Sequence, residues 1–360
     1  MSDFVFSMDS HVVEPKALWA ERLPEKLRPR ALRTERLEDR YMAIIADGKV
    51  MHRLRLGDEN AARIETRVRM GGGDPKLRIK DMTDDGISAE ILYPNAGMMI
   101  YFIEDPELSR ESIRTYNDWL IEAFGAYPGR FVPTAMLPVR DVGEALAEFE
   151  RVLGLGYRSV MMPIDVKNDL KYNDPLYDPL WEMAAGEKVP ISFHVATGLH
   201  PIRERGRGGA VINYTVLMTE AMDFVTYLVC SGAFERNPSL NVVIVEGGVS
   251  WLAPLCERMD ECAERQQMYM DPKLSMLPSQ YVRRNVHATF SHDRAAIFAR
   301  RVTGVAPLLW ASDYPHTEGT FPHSRRAIEA VFADTGVTAE ERKAILGGTA
   351  AKLYGLDAIQ

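Results

Sequence analysis

At 360 residues the chain can bury a large core, and with 46% hydrophobic and 26% charged residues it reads as an ordinary globular protein with no disordered tract. The net charge of -8 is spread along the sequence, with only short basic runs at Arg28–Arg30 and Arg203–Arg207, so no nucleic-acid partner is expected. Three cysteines (Cys230, Cys256 and Cys262) form no Cys-x-x-Cys pair, and the N-terminus has neither a signal-peptide pattern nor a membrane-length apolar run; the expectation is a cytoplasmic protein without membrane contact.

Short apolar, β-branched runs recur, each followed by a stretch of helical spacing. They are Phe4–Met8, Ala89–Tyr93, Phe131–Leu137, Ser159–Met162, Val189–Phe193, Val242–Val245, Val286–Phe290 and Leu308–Ala311. Runs this short and continuous suit strands of a parallel sheet buried on both faces. Among the intervening helices, one places Tyr116, Trp119, Leu120 and Phe124 on one face before Pro128-Gly129. Another opens at Asp141 as a cap and carries Val142, Ala145, Leu146 and Phe149. Eight alternations with right-handed crossovers predict an α/β fold, a distorted (β/α)8 TIM barrel spanning 1–360 as one domain. An open doubly wound sheet would need a glycine-rich dinucleotide turn after an early strand. Gly71-Gly72-Gly73 is not one, because Asp74-Pro75 follows and no strand precedes it. Two segments break the rhythm. Residues 19–73 read as an insertion after the first strand, with an Asp47-Gly48 hairpin turn. Thr197–Asn213, rich in glycine and arginine, reads as a mobile loop over the site.

In a parallel barrel, groups at the carboxyl ends of the strands converge on one mouth. Four strong metal-ligand types fall there. Asp9 and His11 close the first strand, and their i, i+2 spacing points both side chains to one face. His194 ends the fifth strand and Asp313 the eighth. Each alone reads as a cap or a hydrogen-bonded turn, whereas the joint pattern on three strands predicts a metal site.

Asp9-x-His11, Phe193-His194, Val245-Glu246-Gly247-Gly248, Trp251-Leu252 and Leu309-Trp310-Ala311-Ser312-Asp313-Tyr314-Pro315-His316 resemble the amidohydrolase superfamily. Within it they are similar to amidohydrolase family 2, the aminocarboxymuconate-semialdehyde decarboxylase-like branch. Asn117-Asp118-Trp119, Pro128-Gly129-Arg130-Phe131 and Gly347–Tyr354 match as well, so the resemblance runs end to end and is weakest in the insertion. It implies one divalent ion held by Asp9, His11, His194 and Asp313. Zn²⁺ is favoured by affinity, and Mn²⁺ competes by ligand type. The sequence departs from the pattern on the sixth strand, where decarboxylases of this branch carry a catalytic His and this chain has Glu246. A carboxyl there transfers a proton, joins the ligands, or orients a neighbouring histidine.

Further expectations follow for the mouth. His316 enters it as a proton shuttle, and Glu14 braces the first loop or faces substrate. Tyr93, Asn95, His292 and Arg203 contact substrate, with Arg205 and Arg207 beside Arg203 as further clamps or a solvated face. His287 lies inside the seventh strand, and His52, His200 and His323 are surface or loop residues. The favoured reaction is hydrolysis of a small carboxylated or ring-derived substrate, with Asp313 taking a proton from metal-activated water. The alternative is non-oxidative decarboxylation, with a protein acid protonating carbon. The relatives' habit makes a homodimer the expected assembly.

Overall fold

Eight parallel strands carry the molecule, one for each apolar run of the sequence. They are Phe6–Ser7, Ala89–Leu92, Phe131–Pro133 continued by Ala135–Met136, Val160–Pro163, Ile191–His194, Val242–Val245, Val286–Phe290 and Leu308–Trp310. The computed structural model describes residues 3–37, 41–55, 71–166, 171–198 and 202–356. His200, residues 38–40 and 56–70 of the expected insertion and residues 199–201 of the expected mobile loop lie outside them. The first strand pairs with the second and the second with the third; the continuation of the third then leads a run of parallel neighbours to the eighth. Met8 N–H donates to Trp310 O at 3.1 Å and Ser10 bridges Tyr314, which joins the eighth strand back to the first. This is the (β/α)8 order.

The third strand is interrupted at Thr134. Asn117, buried on the helix Pro106–Phe124, fills the gap: its Nδ2 donates to Met136 O at 2.9 Å and its Oδ1 accepts from Met136 N–H at 2.8 Å. A side-chain amide thus replaces a missing ladder partner, which gives Asn117-Asp118-Trp119 a structural reason. Asp141 caps the helix Val142–Gly154 by accepting from Glu144 N–H, as its sequence position predicts. Ala145, Phe149 and Val152 bury that helix's apolar face.

The described part of the insertion is a three-stranded antiparallel sheet of Arg33–Leu37, Tyr41–Ala46 and Lys49–Arg55. Asp47 (φ 53°) and Gly48 (φ 70°) are both left-handed, as a two-residue hairpin turn requires. The Gly71–Gly73 run approaches the loop after the first strand closely. Val13 N–H donates to Gly72 O, and a Cβ on Gly73 would stand 2.7 Å from Val13 O. Among the described residues no helix is long and apolar enough to cross a membrane.

Candidate metal centre

Asp9, His11, His194, Glu246 and Asp313 leave the first, fifth, sixth and eighth strands and meet at one mouth. His11 Nε2 lies 3.3 Å from Asp9 Oδ1, 3.4 Å from His194 Nε2 and 3.6 Å from Asp313 Oδ1. His194 Nε2 lies 3.8 Å from Asp9 Oδ1 and 3.4 Å from Glu246 Oε2. Ligand atoms about 2.1 Å from one ion stand roughly 3.0–3.4 Å apart, so these spacings need only a slight contraction. Asp9, His11 and His194 are almost wholly buried, and Glu246 retains 24% of its side-chain exposure, so the cluster is reached from the Glu246 side. Glu246 (φ 64°) and Asp313 (φ 54°) both have left-handed backbone, an unfavourable conformation of the sort that collects at functional sites.

The hydrogen-bond pattern fixes what the imidazoles present. His11 Nδ1 faces Pro94 O and His194 Nδ1 faces Val195 O, each at 2.7 Å; a carbonyl only accepts, so both Nδ1 atoms carry the proton. Burial pushes His11 down to about 3 and His194 down to about 4, which leaves both rings neutral. Their Nε2 lone pairs therefore point at each other and at the carboxylates. Asp9 Oδ1 is buried with no hydrogen-bond donor among the described residues. Burial raises Asp9 to about 6 against the pull of His194, and burial also raises Asp313. Glu246 is pushed well up by burial, then by Asp313 and Asp9. The atoms that could hold one divalent ion fall in two overlapping groups, Asp9, His11, His194 and Glu246, and His11, Glu246, Asp313 and His316, and nitrogen and carboxylate oxygen suit such an ion.

His316 is also part of the group. Its Nδ1 lies 2.8 Å from Asp313 Oδ1, and its ring stacks on His11 with centroids 4.1 Å apart. Beneath the cluster, Arg78 is fully buried. Its Nε donates to Glu90 Oε2 at 2.6 Å, its Nη1 donates to His11 O at 2.7 Å, and its guanidinium lies 4.6 Å from the Tyr314 ring centre. One buried cation thus ties the first strand to the eighth. Glu90→Gln keeps the shape and strands that charge, so it is expected to cost about 3–5 kcal/mol, read from urea unfolding; Arg78→Met with Glu90→Leu should recover a large share.

The residues expected at the substrate are held in different ways. Tyr93 is fully buried beside His11 and His194, and its hydroxyl meets Ser192 Oγ at 2.9 Å. Glu14 braces the loop, accepting from the N–H groups of Asn95, Ala96 and Gly97, which fixes Asn95 through its backbone. Arg203 is exposed, and its Nη2 donates to Thr219 Oγ1 on the helix Met218–Cys230. His292 is exposed beyond the seventh strand and does not join the ligand cluster. His287 is a core residue between Ala306 O and Asn241 Oδ1. The expected mobile loop includes a helix, Gly209–Val216, clasped by Asn213, whose Oδ1 accepts from Arg203 and Glu204 N–H. Sequence reading missed Tyr214 on that helix and Glu318. Tyr214 is largely exposed, and its hydroxyl is raised by desolvation and then by the Glu246, Glu318 and Asp313 carboxylates. The apolar run after Gly208-Gly209 was the available signal.

A family profile described as Amidohydrolase matches residues 48–356. Over 298 residues the chain is 25% identical to a 2-amino-3-carboxymuconate-6-semialdehyde decarboxylase of Dictyostelium discoideum, covering 79% of this chain and 77% of that protein. Its fold is similar to that of an amidohydrolase from Mycobacterium avium subsp. paratuberculosis, with a TM-score of 0.79, 21% identity and 99% and 100% of the two chains covered. It is also similar to a dihydroxybenzoic acid decarboxylase from Polaromonas sp. JS666 solved with manganese and the inhibitor 2-nitroresorcinol. That TM-score is 0.65 at 20% identity, over 99% and 98% of the chains.

Proposed function

The chain belongs to the amidohydrolase family, and on that premise we propose that it is a metal-dependent, non-oxidative decarboxylase of a small carboxylated ring or ring-derived compound. Asp9, His11, His194 and Asp313 hold the ion, Zn²⁺ or Mn²⁺. The observation that carries the reading is Glu246, a protonatable carboxyl 3.4 Å from His194 Nε2, on the strand where the resembled decarboxylases keep their catalytic histidine. The decarboxylase relative supports this reaction over the hydrolysis expected from sequence.

When bound, the ion draws electron density from the substrate's oxygens as a Lewis acid. Glu246 gives its proton to the carbon that bears the leaving carboxylate. The electrons of the broken C–C bond stay with the ring, CO₂ departs, and Glu246 recovers a proton from solvent at the open side of the mouth. His316 holds Asp313 and His11 in place through its Nδ1 contact with Asp313 and its stacking on His11.

The reaction class is tested with zinc- and manganese-loaded protein, a panel of dihydroxybenzoates and their methyl esters, and isotopically labelled water. The expected result is CO₂ release from the acids with one solvent deuterium on the vacated carbon. Ester cleavage with solvent ¹⁸O in the product acid, and no CO₂, would restore the hydrolytic reading.

A further inference from the structure

Glu246 opens a tight turn, residues 246–251, between the sixth strand and the helix Leu252–Arg265. The pairing register of that strand ends at Val245, opposite His194, so from Glu246 on side chains take over the hold on the backbone. Glu246 (φ 64°) and Gly248 (φ 67°) both take left-handed backbone there, which a glutamate keeps only where its neighbours enforce it. Three side chains do so. Thr289 Oγ1, on the seventh strand, accepts from Glu246 N–H at 2.8 Å. Trp251 Nε1–H donates to Gly248 O at 2.8 Å and to Gly247 O at 3.0 Å. Asp293 Oδ2 accepts from Val249 N–H at 2.8 Å and from Ser250 N–H at 2.7 Å. Its Oδ1 accepts from Ala296 N–H at 3.1 Å and caps the helix Arg294–Thr303, so one carboxylate ties the turn to a rigid element.

On the reading of Glu246 as the proton donor, we propose that Trp251 and Asp293 are positioning residues for the reaction. They lock the turn from opposite sides, Trp251 through its carbonyls and Asp293 through its N–H groups, and so keep the Glu246 carboxyl beside His194 Nε2. Neither belongs to the two ligand groups. Protonation of carbon tolerates little displacement of the acid, and a shift of about 1 Å imposed from a distance can cost about 100-fold in rate. The same contacts give Trp251-Leu252 its reason in the sequence: the indole N–H gathers two carbonyls that the turn leaves without a strand partner.

The test reads the turn and the chemistry separately, on metal-loaded protein. In amide hydrogen exchange, residues 246–250 should be protected in the parent. Asp293→Ala and Trp251→Phe should each speed their exchange by at least about 10-fold, with the strand Val242–Val245 unmoved. On a dihydroxybenzoate that the parent decarboxylates, each variant should lower kcat by about 10–100-fold, with KM within about 3-fold and metal content unchanged. Added to Glu246→Gln, Asp293→Ala should cost less than about 2-fold more, because a residue that acts through the Glu246 carboxyl then has nothing left to position. An equal loss in that background, a parent kcat despite a loosened turn, or an unprotected turn in the parent would overturn the proposal. A parent-like rate in Glu246→Gln, or no turnover of any acid by the parent, would overturn the acid role on which it rests, a result distinct from these. Trp251→Phe keeps the ring and removes only the donor, so the test stands even if Asp293→Ala folds poorly.

Discussion

His194→Ala is expected to leave a folded protein that copurifies with little of its ion and has lost decarboxylation to background. His194 supplies one of two neutral Nε2 donors, and its ring is held by Val195 O, so no nearby imidazole swings in to replace it. The loss in affinity should exceed the ~10–100-fold that follows removal of a group which merely orients a ligand. Metal analysis and a urea melt on the same preparation check this. Full metal content in the variant would take His194 out of the ligand set. Chelation of the parent protein should reproduce the loss of activity, and about one equivalent of Zn²⁺ or Mn²⁺ should restore it. Two equivalents retained per chain would count against a single-ion site.

Glu246→Gln carries the second large effect. Glutamine keeps the volume and the contact with His194 but holds no transferable proton, so turnover should fall by about 10²–10⁴-fold. Metal content should stay near that of the parent, because Asp9, His11, His194 and Asp313 remain. Loss of metal in this variant would make Glu246 a ligand, and a near-parent rate would leave it only an orienting role. Glu246→His puts an imidazole where the resembled decarboxylases have one, and it should outperform Glu246→Gln. Steady-state rates paired with metal content separate these outcomes.

The sequence exposes what local chemistry controls. Eight apolar runs are strands because continuous β-branched stretches of that length pack only between layers, and the Asp47-Gly48 turn is legible because its left-handed backbone favours those residues. Asp9 and His11 are legible as a pair because alternation in an extended segment is a local rule. What escaped is set by contacts distant along the chain. Tyr93 stands at a strand end as a pocket residue would, yet Ser192, 99 positions away, takes its hydroxyl and the two imidazoles cover its ring. Arg78 reads as one more helical arginine, and only Glu90 across a turn and Tyr314 from the far end of the chain make it a buried cation. Arg203 sits in a loop whose course depends on the Asn213 clasp, which no spacing rule announces.

The left-handed backbone at Glu246 and Asp313 sets robustness against activity. Glycine takes that conformation without steric cost, and at these two positions it would also remove like-charged carboxylates from a buried cluster. Glu246→Gly and Asp313→Gly should therefore fold at least as firmly as the parent in the metal-free state while performing no chemistry. Directed evolution for heat tolerance alone would drift towards such substitutions. Any stabilisation campaign on this scaffold should hold both carboxylates fixed and look for its gains in the helical outer layer.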